Sequence, residues 1–241
     1  MDNYDLNKQM IDVWLEKLSS SELKNKVQHV SLSKEEIDTA NSFYFAKDRE
    51  NYILSHQYLR FIISSYLQLP FDQITFKRMA QGKPIVSTKN ICNIEFNMAH
   101  SNDFLAIAIG TVNSVGIDIE AISEKQNVDG LAKHCFSFDE FKQYAEIHES
   151  LRPLAFFRGW ARKEAYLKAL GTGLSKDLRS FNVNIFDDIS HYPITVETSE
   201  VTEKQWRIEP ITLMEPYNFT AAVVINNSIE KINYRSMSLT I

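Results

Sequence analysis

Residues 115–120 have the pattern of a β-strand that carries two acidic side chains on one face. β-Branched residues alternate with other types, so Asp118 and Glu120, two positions apart, point to the same side of the strand. Alone, such a pair is weak evidence of a site, because acidic residues on one strand face are often a solvated edge. A second charged segment further along the chain makes the pair more informative.

Residues 160–168 have the pattern of a helix that carries an aromatic, an acidic and a basic side chain along one face. Trp160, Glu164 and Lys168 recur at every fourth position and therefore lie along one helix face. Charged helix faces are common, and the lysines of this segment could simply pair with neighbouring acidic residues. Three carboxylates and a lysine on two rigid elements nevertheless suit a divalent cation bound to a polyphosphate. Mg²⁺ prefers oxygen ligands and takes a few carboxylates together with substrate phosphate oxygens.

The composition is that of an ordinary globular protein and narrows the class of ligand. Of 241 residues, 44% are hydrophobic and 24% are charged, and the formal net charge is −5. Such a chain is not expected to bind nucleic acid or an anionic membrane surface in general, so a phosphate site requires a local basic cluster. No apolar run approaches the roughly 20 residues of a membrane span, and the N-terminus lacks a signal pattern. Cys92 and Cys135 are too few for a disulfide framework, so a cytoplasmic protein is expected.

Hydrophobic periodicity and turn residues predict a mixed succession of strands and helices. Strands are predicted at residues 10–18, 74–79, 95–99, 104–110, 115–120, 181–186, 194–197, 206–210 and 219–225. Helices are predicted at residues 35–45, 48–66, 137–145 and 154–170. A turn is predicted at 81–84, and Gly171 is expected to end the last helix. The strands at 104–110 and 115–120 are expected to form a hairpin.

Five motifs occur in an order that resembles a known enzyme family. They are Gly-Lys-Pro at 82–84, Phe-Asn-Met-Ala-His-Ser at 96–101, Val-Gly-Ile-Asp-Ile-Glu at 115–120, Trp-Ala-Arg-Lys-Glu-Ala-Tyr-Leu-Lys at 160–168 and Lys-Ala-Leu-Gly-Thr-Gly-Leu at 168–174. The third and fourth resemble the signature pair of 4′-phosphopantetheinyl transferases, and the closest branch is the large, single-chain kind that serves peptide and polyketide synthases. The resemblance extends from about residue 32 to residue 225.

The resemblance implies a metal and pyrophosphate centre. Asp118, Glu120 and Glu164 would hold Mg²⁺, which binds the pyrophosphate of the co-substrate coenzyme A. Lys168 would contact the same phosphates and offset the charge of the leaving group. Lys163 would lie at this cluster of carboxylates and phosphates.

The resemblance also implies contacts to the 3′-phosphate of coenzyme A. His100 occupies the position that makes this contact in the family, and Lys47 or Arg49, Arg78 and Lys83 would add basic groups. Local cations are what a bound phosphate requires in an otherwise acidic protein. The alternative is ordinary: a histidine after a strand is more often structural, and each basic residue could be merely solvated. The sequence does not choose between Lys47 and Arg49.

Two small residues next to these motifs have distinct expected roles. The family has a serine before the histidine, but this chain has Ala99, which removes a hydroxyl that could hold the nucleotide. A backbone amide at Ala99 could still serve in its place. Gly116 would allow close packing before the acidic strand, with an ordinary turn glycine as the alternative.

The implied reaction is attack by a serine hydroxyl of an acyl or peptidyl carrier protein on the β-phosphate of coenzyme A, with release of 3′,5′-ADP. Glu164 is the expected general base, acting directly or through a water molecule. The segment 121–141, with Leu131, Phe136 and Phe138, is a candidate docking surface for the carrier, and core packing is an equal alternative for its apolar residues.

The expected fold is α+β, with two similar α/β subdomains related by pseudo-twofold symmetry and joined near 110–115. The N-terminal subdomain would span 1–112, and the C-terminal subdomain, 113–241, would carry the metal-binding motifs. The doubled length relative to the short, trimeric holo-acyl-carrier-protein synthases favours a monomer. The alternatives are an inactive homologue that binds coenzyme A or a carrier, and a metal-dependent phosphohydrolase.

Overall fold

The computed structural model describes residues 9–78, 82–88, 94–110, 115–172, 176–190, 192–196, 206–211, 218–237 and 239. Its helices are α1 (Ser21–Val27), α2 (Lys34–Asn41), α3 (Ala46–Leu67), α4 (Val128–Cys135), α5 (Phe138–Glu146) and α6 (Arg152–Leu170). Its strands are β1 (Met10–Lys17), β2 (Phe76–Arg78), β3 (Pro84–Val86), β4 (Glu95–Ser101), β5 (Phe104–Gly110), β6 (Gly116–Ala121), β7 (Phe181–Asn182), β8 (Tyr192–Pro193), β9 (Thr195–Val196), β10 (Trp206–Ile211), β11 (Phe219–Asn226) and β12 (Lys231–Arg235). The class is α+β, as predicted.

Two four-stranded sheets form the centre of the molecule. The first sheet has the strand order β12-β1-β5-β4, and the second has the order β6-β11-β10-β8. In the first sheet β12 runs parallel to β1, whereas β5 is antiparallel to both of its neighbours. The pairs of the second sheet are all antiparallel. Two short ladders, β2 with β3 and β7 with β9, lie outside these sheets.

The two sheets pack face to face, and helices cover their outer faces. Alternation in β1 sends Ile11, Val13 and Leu15 into the apolar layer between the sheets, where they meet Ile117 and Ile119 of β6. The opposite face of the first sheet packs against α1 and α3. The opposite face of the second sheet packs against α4, α5 and α6. Asp118 and Glu120, which alternate with the two isoleucines, therefore face the helices of the second layer.

The edge strands β4 and β6 run side by side although they belong to different sheets. The backbone N–H of Ile117 donates to Oδ1 of Asn97 over 2.9 Å, and the backbone N–H of Ala121 donates to Oγ of Ser101 over 3.0 Å. The two pairs are four residues apart on each strand. Side chains of β4 thus take the place of a neighbouring strand for these backbone groups of β6.

Most predicted elements are present with shifted ends. The helix predicted at 35–45 is α2, which starts at a capping box on Ser33 and ends at Asn41, after which the backbone N–H groups of Ser42 and Phe43 donate to carbonyls three residues back instead of four. Gly171 has φ of 69° and ends α6, and Gly82 has φ of 90° in the predicted turn. The predicted residues 79, 81 and 197 lie outside the described residues, as do 173 and 174 of the last motif. The elements α1, α4, β3, β8 and β12 were not predicted.

Two strand predictions are wrong in part. The hairpin of 104–110 with 115–120 does not form, because β6 pairs with β11 in the other sheet, with Asp118 opposite Ala222. The strand predicted at 181–186 is limited to β7. Beyond β7, the carbonyls of Asn184 and Phe186 accept hydrogen bonds from Arg162 and Arg158 instead of from a neighbouring strand.

The predicted division of the chain at 112 and 113 stays a prediction, because residues 111–114 lie outside the described residues. The C-terminal strand β12 lies in the first sheet, parallel to β1. Two buried carboxylates of β1 hold this part of the chain: Asp12 forms an ion pair with Arg235, whose Nε lies 3.0 Å from Oδ2, and Glu16 accepts a hydrogen bond from the backbone N–H of Met237 over 2.8 Å. Among the described helices, none combines the length and apolar character needed to cross a membrane.

Candidate active site

The acidic face of β6 lies against a partly exposed stripe of α6. Between residues 155 and 169 every residue is buried except Trp160, Glu164 and Lys168. These are the three residues whose spacing predicted a common helix face, and the structure confirms that stripe. Asp118 contacts Lys168 and Glu120 contacts Trp160, so strand and helix run past each other with their polar side chains aligned.

Close packing of β6 on α6 depends on Gly116. A β-carbon at this position would overlap the carbonyl oxygen of Ala165 and the backbone nitrogen of Ala169, and would lie 3.0 Å from the carbonyl carbon of Ala165. The backbones of the strand and the helix therefore meet with no side chain between them. This confirms the close-packing interpretation of the glycine, and it places Lys168 within reach of the strand carboxylates.

Asp118 is buried and only partly neutralised. Its side chain accepts a hydrogen bond from Nζ of Lys168 at 2.6 Å, and 5% of the residue is exposed. Its second oxygen, Oδ2, is buried without a hydrogen-bond partner among the described residues. Burial raises the pKa of Asp118 to about 7, Lys168 opposes this rise, and repulsion from Glu120 and Glu164 adds to it. Such a carboxylate is suited to a cation that neutralises its unpartnered oxygen.

Glu120 is held on both oxygens. The indole N–H of Trp160 donates to Oε1 over 3.0 Å, and the hydroxyl of Ser101 donates to Oε2 over 3.1 Å. The donors come from α6, which covers the second sheet, and from the end of β4, which belongs to the first sheet. Both layers therefore contact this carboxylate. Each oxygen keeps a lone pair for a further ligand.

Glu164 is half-buried and lies within electrostatic range of its charged neighbours. Burial raises the pKa of Glu164, Lys168 opposes this effect, and Glu120 reinforces it. A carboxylate with a raised pKa on a rigid helix is a suitable proton acceptor. The structure thus brings together Asp118, Glu120, Glu164 and Lys168, four of the residues selected from the sequence.

The cluster is not an all-protein metal cage. In the described part of the chain, no group of three or more His, Cys, Asp or Glu side chains is placed to hold a metal ion. The donor set and the unpartnered Oδ2 of Asp118 nevertheless fit Mg²⁺. This ion binds through one or two carboxylates and fills its remaining positions with water and phosphate oxygens.

Lys163 does not lie at this cluster, and the sequence prediction for it is corrected. Its side chain is 0% exposed and points away from the cluster, to the side of α6 where Nζ is 2.7 Å from Oε2 of Glu140. Nζ also donates to the carbonyls of Leu178 and Phe181, over 2.7 Å and 2.6 Å. An ammonium group enclosed in this way cannot contact a substrate phosphate. Its role is to join α6 to α5 and to the segment that follows α6.

Replacing Lys163 with methionine is expected to lower the free energy of unfolding by about 3–5 kcal/mol, because Glu140 would stay buried without a counter-charge. The double variant Lys163→Met/Glu140→Gln should lose less than the sum of the single variants. Denaturant titration of the three variants measures these differences. Additive losses would show that the two side chains do not stabilise each other.

The end of β4 presents alternate residues to different layers. Ala99 is buried in the apolar layer between the sheets, whereas His100 is exposed on the side of the sheet that α3 covers. A serine hydroxyl at position 99 would therefore point between the sheets rather than toward a ligand beside His100. Only the backbone of Ala99 could contact a nucleotide.

A cavity of about 780 Å³ lies between α2, α3 and the ladder of β2 with β3. Its lining includes Tyr52, His56 and Arg60, which recur every fourth residue along α3, and Arg78 of β2. The rings of Tyr52 and His56 stack with centroids 3.9 Å apart, and Arg60 forms a buried ion pair with Glu36 at 2.8 Å. Burial lowers the pKa of His56, although a hydrogen bond to the carbonyl of Tyr52 opposes this.

His100 is two residues beyond Met98, which lines this cavity, and its charge contributes to the lowered pKa of His56. Arg78 lines the cavity and donates to the carbonyl of Gly82 over 3.2 Å. Lys83 is nearly buried, 2.7 Å from Oε1 of Glu95 and 3.4 Å from the carbonyl of Val115. Lys83 therefore lies near the start of β6, so that Asp118 stands between Lys83 and Glu120 along the strand.

The two alternative cations of α3 point in different directions. Lys47 is exposed, with Nζ 3.7 Å from Oδ1 of Asp103 in the β4–β5 turn. Arg49 lies three and seven residues before Tyr52 and His56, and these spacings place it on the cavity-facing stripe.

Lowering the pH below about 6.5 is expected to destabilise the protein through His56. The folded state holds the pKa of His56 below the ordinary value of 6.5, so the unfolded chain binds this proton more readily. Stability should be fully present above that value and decline as the pH falls below it. Urea titrations across this range measure the decline, which should shrink in His56→Gln and persist in His134→Gln, an exposed control. An unchanged pH dependence in His56→Gln would contradict the prediction.

Comparison with known proteins decides what this arrangement is. Residues 114–224 match the family described as the 4′-phosphopantetheinyl transferase superfamily, and residues 17–111 match the one described as 4′-phosphopantetheinyl transferase, N-terminal. The 4′-phosphopantetheinyl transferase HetI of Nostoc sp. strain PCC 7120 is 30% identical over 72% of this chain and 74% of its own length. The chain belongs to the 4′-phosphopantetheinyl transferase superfamily.

Other relatives agree with this assignment. The 4′-phosphopantetheinyl transferase psf-1 of Bacillus pumilus is 31% identical over 73% of this chain and 74% of its own length. The mouse L-aminoadipate-semialdehyde dehydrogenase-phosphopantetheinyl transferase is 26% identical over 80% of this chain and 67% of its own length. The resemblance drawn from the five motifs is confirmed, and so is the enzyme class. The phosphopantetheinyl transferases use coenzyme A and modify carrier proteins.

A second, open cavity of about 700 Å³ adjoins the acidic cluster at Glu120 and is lined by residues 121–126 and Phe157. Of the three apolar residues named as a candidate docking surface, Phe136 is buried in the core behind α6. Phe138 is 82% exposed and Leu131 is 38% exposed, so only these two are available to a partner.

Three residues beside the acidic cluster or in the lining of the cavity were not identified from the sequence. Ser101 was quoted only as part of a motif, although it contacts Glu120. Tyr52 and His56 line the cavity. Their four-residue spacing with Arg60 is a helical signal that could have marked one face of α3 as polar and aromatic.

Proposed function

We propose that the chain transfers the 4′-phosphopantetheine group of coenzyme A to a serine of an acyl or peptidyl carrier protein at the cluster of Asp118, Glu120, Glu164 and Lys168. The serine oxygen forms a bond to the β-phosphorus, the bond from that phosphorus to the bridging oxygen breaks, and 3′,5′-ADP leaves. The observation that carries the assignment is the buried Asp118, with one oxygen on Lys168 and the other without a partner among the described residues, in a chain of this superfamily.

Asp118, Glu120 and Glu164 would hold Mg²⁺ together with the pyrophosphate oxygens. When bound, the ion supplies Lewis-acid charge neutralisation. Asp118 offers its unpartnered Oδ2, and Glu120 offers the remaining lone pairs of a carboxylate held in place from both sides.

Lys168 and Glu164 have complementary roles in the transfer. Lys168 contacts Asp118 in the structure, and its partly exposed ammonium group can also reach a phosphate oxygen, where it would stabilise the charge of the leaving group. Glu164 takes the proton of the serine hydroxyl, directly or through a water molecule. Its raised pKa supports this role, because a stronger base removes the proton more effectively.

The nucleotide end of coenzyme A would extend toward the cavity beside α3. Arg78 lines this cavity together with the basic side chains of His56, Arg60 and Lys77, and we place the 3′-phosphate near Arg78 and His100. The position of Arg49 on the stripe of Tyr52 and His56 favours it over Lys47 as a further contact. Lys83 would contact the phosphates from the start of β6, and Ala99 would contribute only through its backbone.

The two sheets support the proposal of two similar subdomains. Each sheet has four strands and is covered on its outer face by one long helix, α3 or α6. We propose that the halves are related by a pseudo-twofold axis, that β12 is exchanged onto the first half, and that the protein acts as a cytoplasmic monomer that contacts neither nucleic acid nor a membrane.

The test of the proposed function is incubation of the purified protein with coenzyme A, Mg²⁺ and several unrelated apo carrier proteins, followed by mass spectrometry of the carrier. A mass gain equal to phosphopantetheine on the carrier serine is expected. Coenzyme A binding without a mass gain on any carrier would favour the inactive homologue. Release of free 4′-phosphopantetheine without a carrier would favour the phosphohydrolase.

Replacing Glu164 with glutamine is expected to lower kcat by about 10²–10³-fold, because the serine would lose its proton acceptor. The dissociation constant of coenzyme A should change by less than about threefold, as the other carboxylates and Lys168 remain. Steady-state kinetics and calorimetric titration measure the two quantities. The exposed Glu146→Gln variant of α5 is the matched control. Equal losses of turnover and affinity would assign Glu164 to metal binding alone.

A further inference from the structure

We infer that Trp160 and Ser101 are positioning residues that hold the carboxylate of Glu120 in the orientation in which it binds the metal. The inference rests on the proposed function of the cluster and goes beyond it, because it assigns roles to two uncharged side chains. Each donates one hydrogen bond to a different oxygen of Glu120, over 3.0 Å and 3.1 Å.

Glu120 needs such support more than Asp118 does. Its side chain has one more rotatable bond, and it lies at the partly exposed end of β6, beside the open cavity. Asp118 is fixed by burial and by Lys168. A glutamate without hydrogen-bond donors would lose side-chain conformational entropy when it binds a metal. Two donors restrict the rotamer of Glu120 before the metal binds, so less entropy is lost on binding.

The donor from Ser101 is itself fixed. The backbone N–H of Ala121 donates to Oγ of Ser101 over 3.0 Å, which directs the hydroxyl proton toward Oε2 of Glu120. Ser101 therefore satisfies a backbone group of β6 and orients a side chain of the same strand. Since Ser101 ends β4, the orientation of Glu120 depends on the position of the first sheet.

The donor from Trp160 belongs to the opposite side of the cluster. Its indole ring stacks on Phe156 with centroids 6.2 Å apart and lies on the stripe of α6 that carries Glu164 and Lys168. The ring is thus held by packing while its N–H reaches Oε1 of Glu120. Glu120 is in this way clamped between β4 and α6, and loosening either contact should weaken metal binding more than catalysis.

The test measures Mn²⁺ affinity by electron paramagnetic resonance in the presence of saturating coenzyme A. Trp160→Phe keeps the ring stacking but removes the N–H, and Ser101→Ala removes the hydroxyl. Each should weaken Mn²⁺ binding by about tenfold, with kcat at saturating Mg²⁺ changed by less than about threefold. Ser101→Thr, which keeps the hydroxyl, should restore the affinity.

Trp14→Phe is the matched control for the tryptophan substitution. Trp14 also donates its indole N–H to an oxygen, that of Tyr66 over 3.1 Å, but it lies in the core of the first layer. Its replacement should lower stability and leave Mn²⁺ affinity unchanged. Wild-type Mn²⁺ affinity in both Trp160→Phe and Ser101→Ala would overturn the positioning role.

A Glu120→Gln variant separates failure of this inference from failure of the proposed function. If Glu120→Gln loses Mn²⁺ affinity and the two positioning variants do not, Glu120 is a ligand that needs no support. If Glu120→Gln also binds Mn²⁺ as the wild type does, the proposed metal site itself is wrong, and the inference fails with it.

Discussion

Replacing Gly116 with alanine is expected to abolish most of the activity and to lower the free energy of unfolding by about 3 kcal/mol. The added methyl group would overlap the backbone of Ala165 and Ala169, so β6 and α6 would have to move apart. Backbone atoms of a buried helix cannot rotate away as a flexible side chain does. The 2.6 Å contact between Lys168 and Asp118 would then be lost, and with it the alignment of the whole cluster.

The control for this substitution is Gly130→Ala in α4. A β-carbon there would approach only the side-chain amide of Asn127, at 4.0 Å, so stability and activity should stay near those of the wild type. Thermal denaturation and the carrier-modification assay measure both variants. A Gly116→Ala variant with wild-type activity would show that the close approach of strand and helix is not needed for the site.

Replacing Lys168 with methionine is expected to lower kcat/KM by about 10²–10³-fold, because the pyrophosphate would lose a fixed cation. The metal-free protein should lose much less stability than this loss of activity suggests. Asp118 can accept a proton when its partner is removed, since its pKa is already raised to about 7. Lys168→Met should therefore lose much of its activity but little of its stability, whereas Gly116→Ala should lose both.

The exposed Lys142→Met variant of α5 is the control for lost positive charge, and it should keep wild-type kinetics. Kinetics at several Mg²⁺ concentrations test the assignment further, because Lys168→Met should not be rescued by more Mg²⁺. Activity within threefold of the wild type in Lys168→Met would remove the lysine from the reaction.

The local pattern of the sequence correctly predicted the side of α6 that is partly exposed. The four-residue spacing of Trp160, Glu164 and Lys168 marks a helix stripe, and that stripe is the partly exposed line of α6. The same reasoning would have excluded Lys163, which lies about 100° around the helix from Glu164 and is enclosed by Glu140. The family motif includes Lys163, whereas the helical period does not place this residue on the stripe of Glu164 and Lys168.

Non-local pairing could not be predicted from these patterns. The choice of β11 as the partner of β6 depends on residues about a hundred positions away, and the two edge strands β4 and β6 meet only because their sheets stack. The parallel pairing of β12 with β1 depends on a segment more than two hundred residues from its partner. Such contacts depend on how whole layers pack against each other. The hydrophobic periodicity of one segment carries no information about that packing.

The basic residues show the same limit at the nucleotide end. Charge alone made Lys47, Arg49, Arg78 and Lys83 equivalent candidates. The structure separates them, with Arg78 at the cavity, Lys83 nearly buried at Glu95 and Lys47 beside Asp103. The long side chain of a lysine or arginine can pair with any acidic group that the fold brings near it. Its partner can therefore be identified only when the fold is known.

The most direct test of the account is a crystal structure of the protein with coenzyme A and Mn²⁺, in which anomalous scattering locates the metal. We predict one manganese peak bound to Oδ2 of Asp118, to Glu120 and to Glu164, with the pyrophosphate at Nζ of Lys168 and the nucleotide toward Arg78. A manganese peak and a pyrophosphate located away from Asp118, for example in the cavity beside His56, would contradict the assignment of this cluster as the transferase centre.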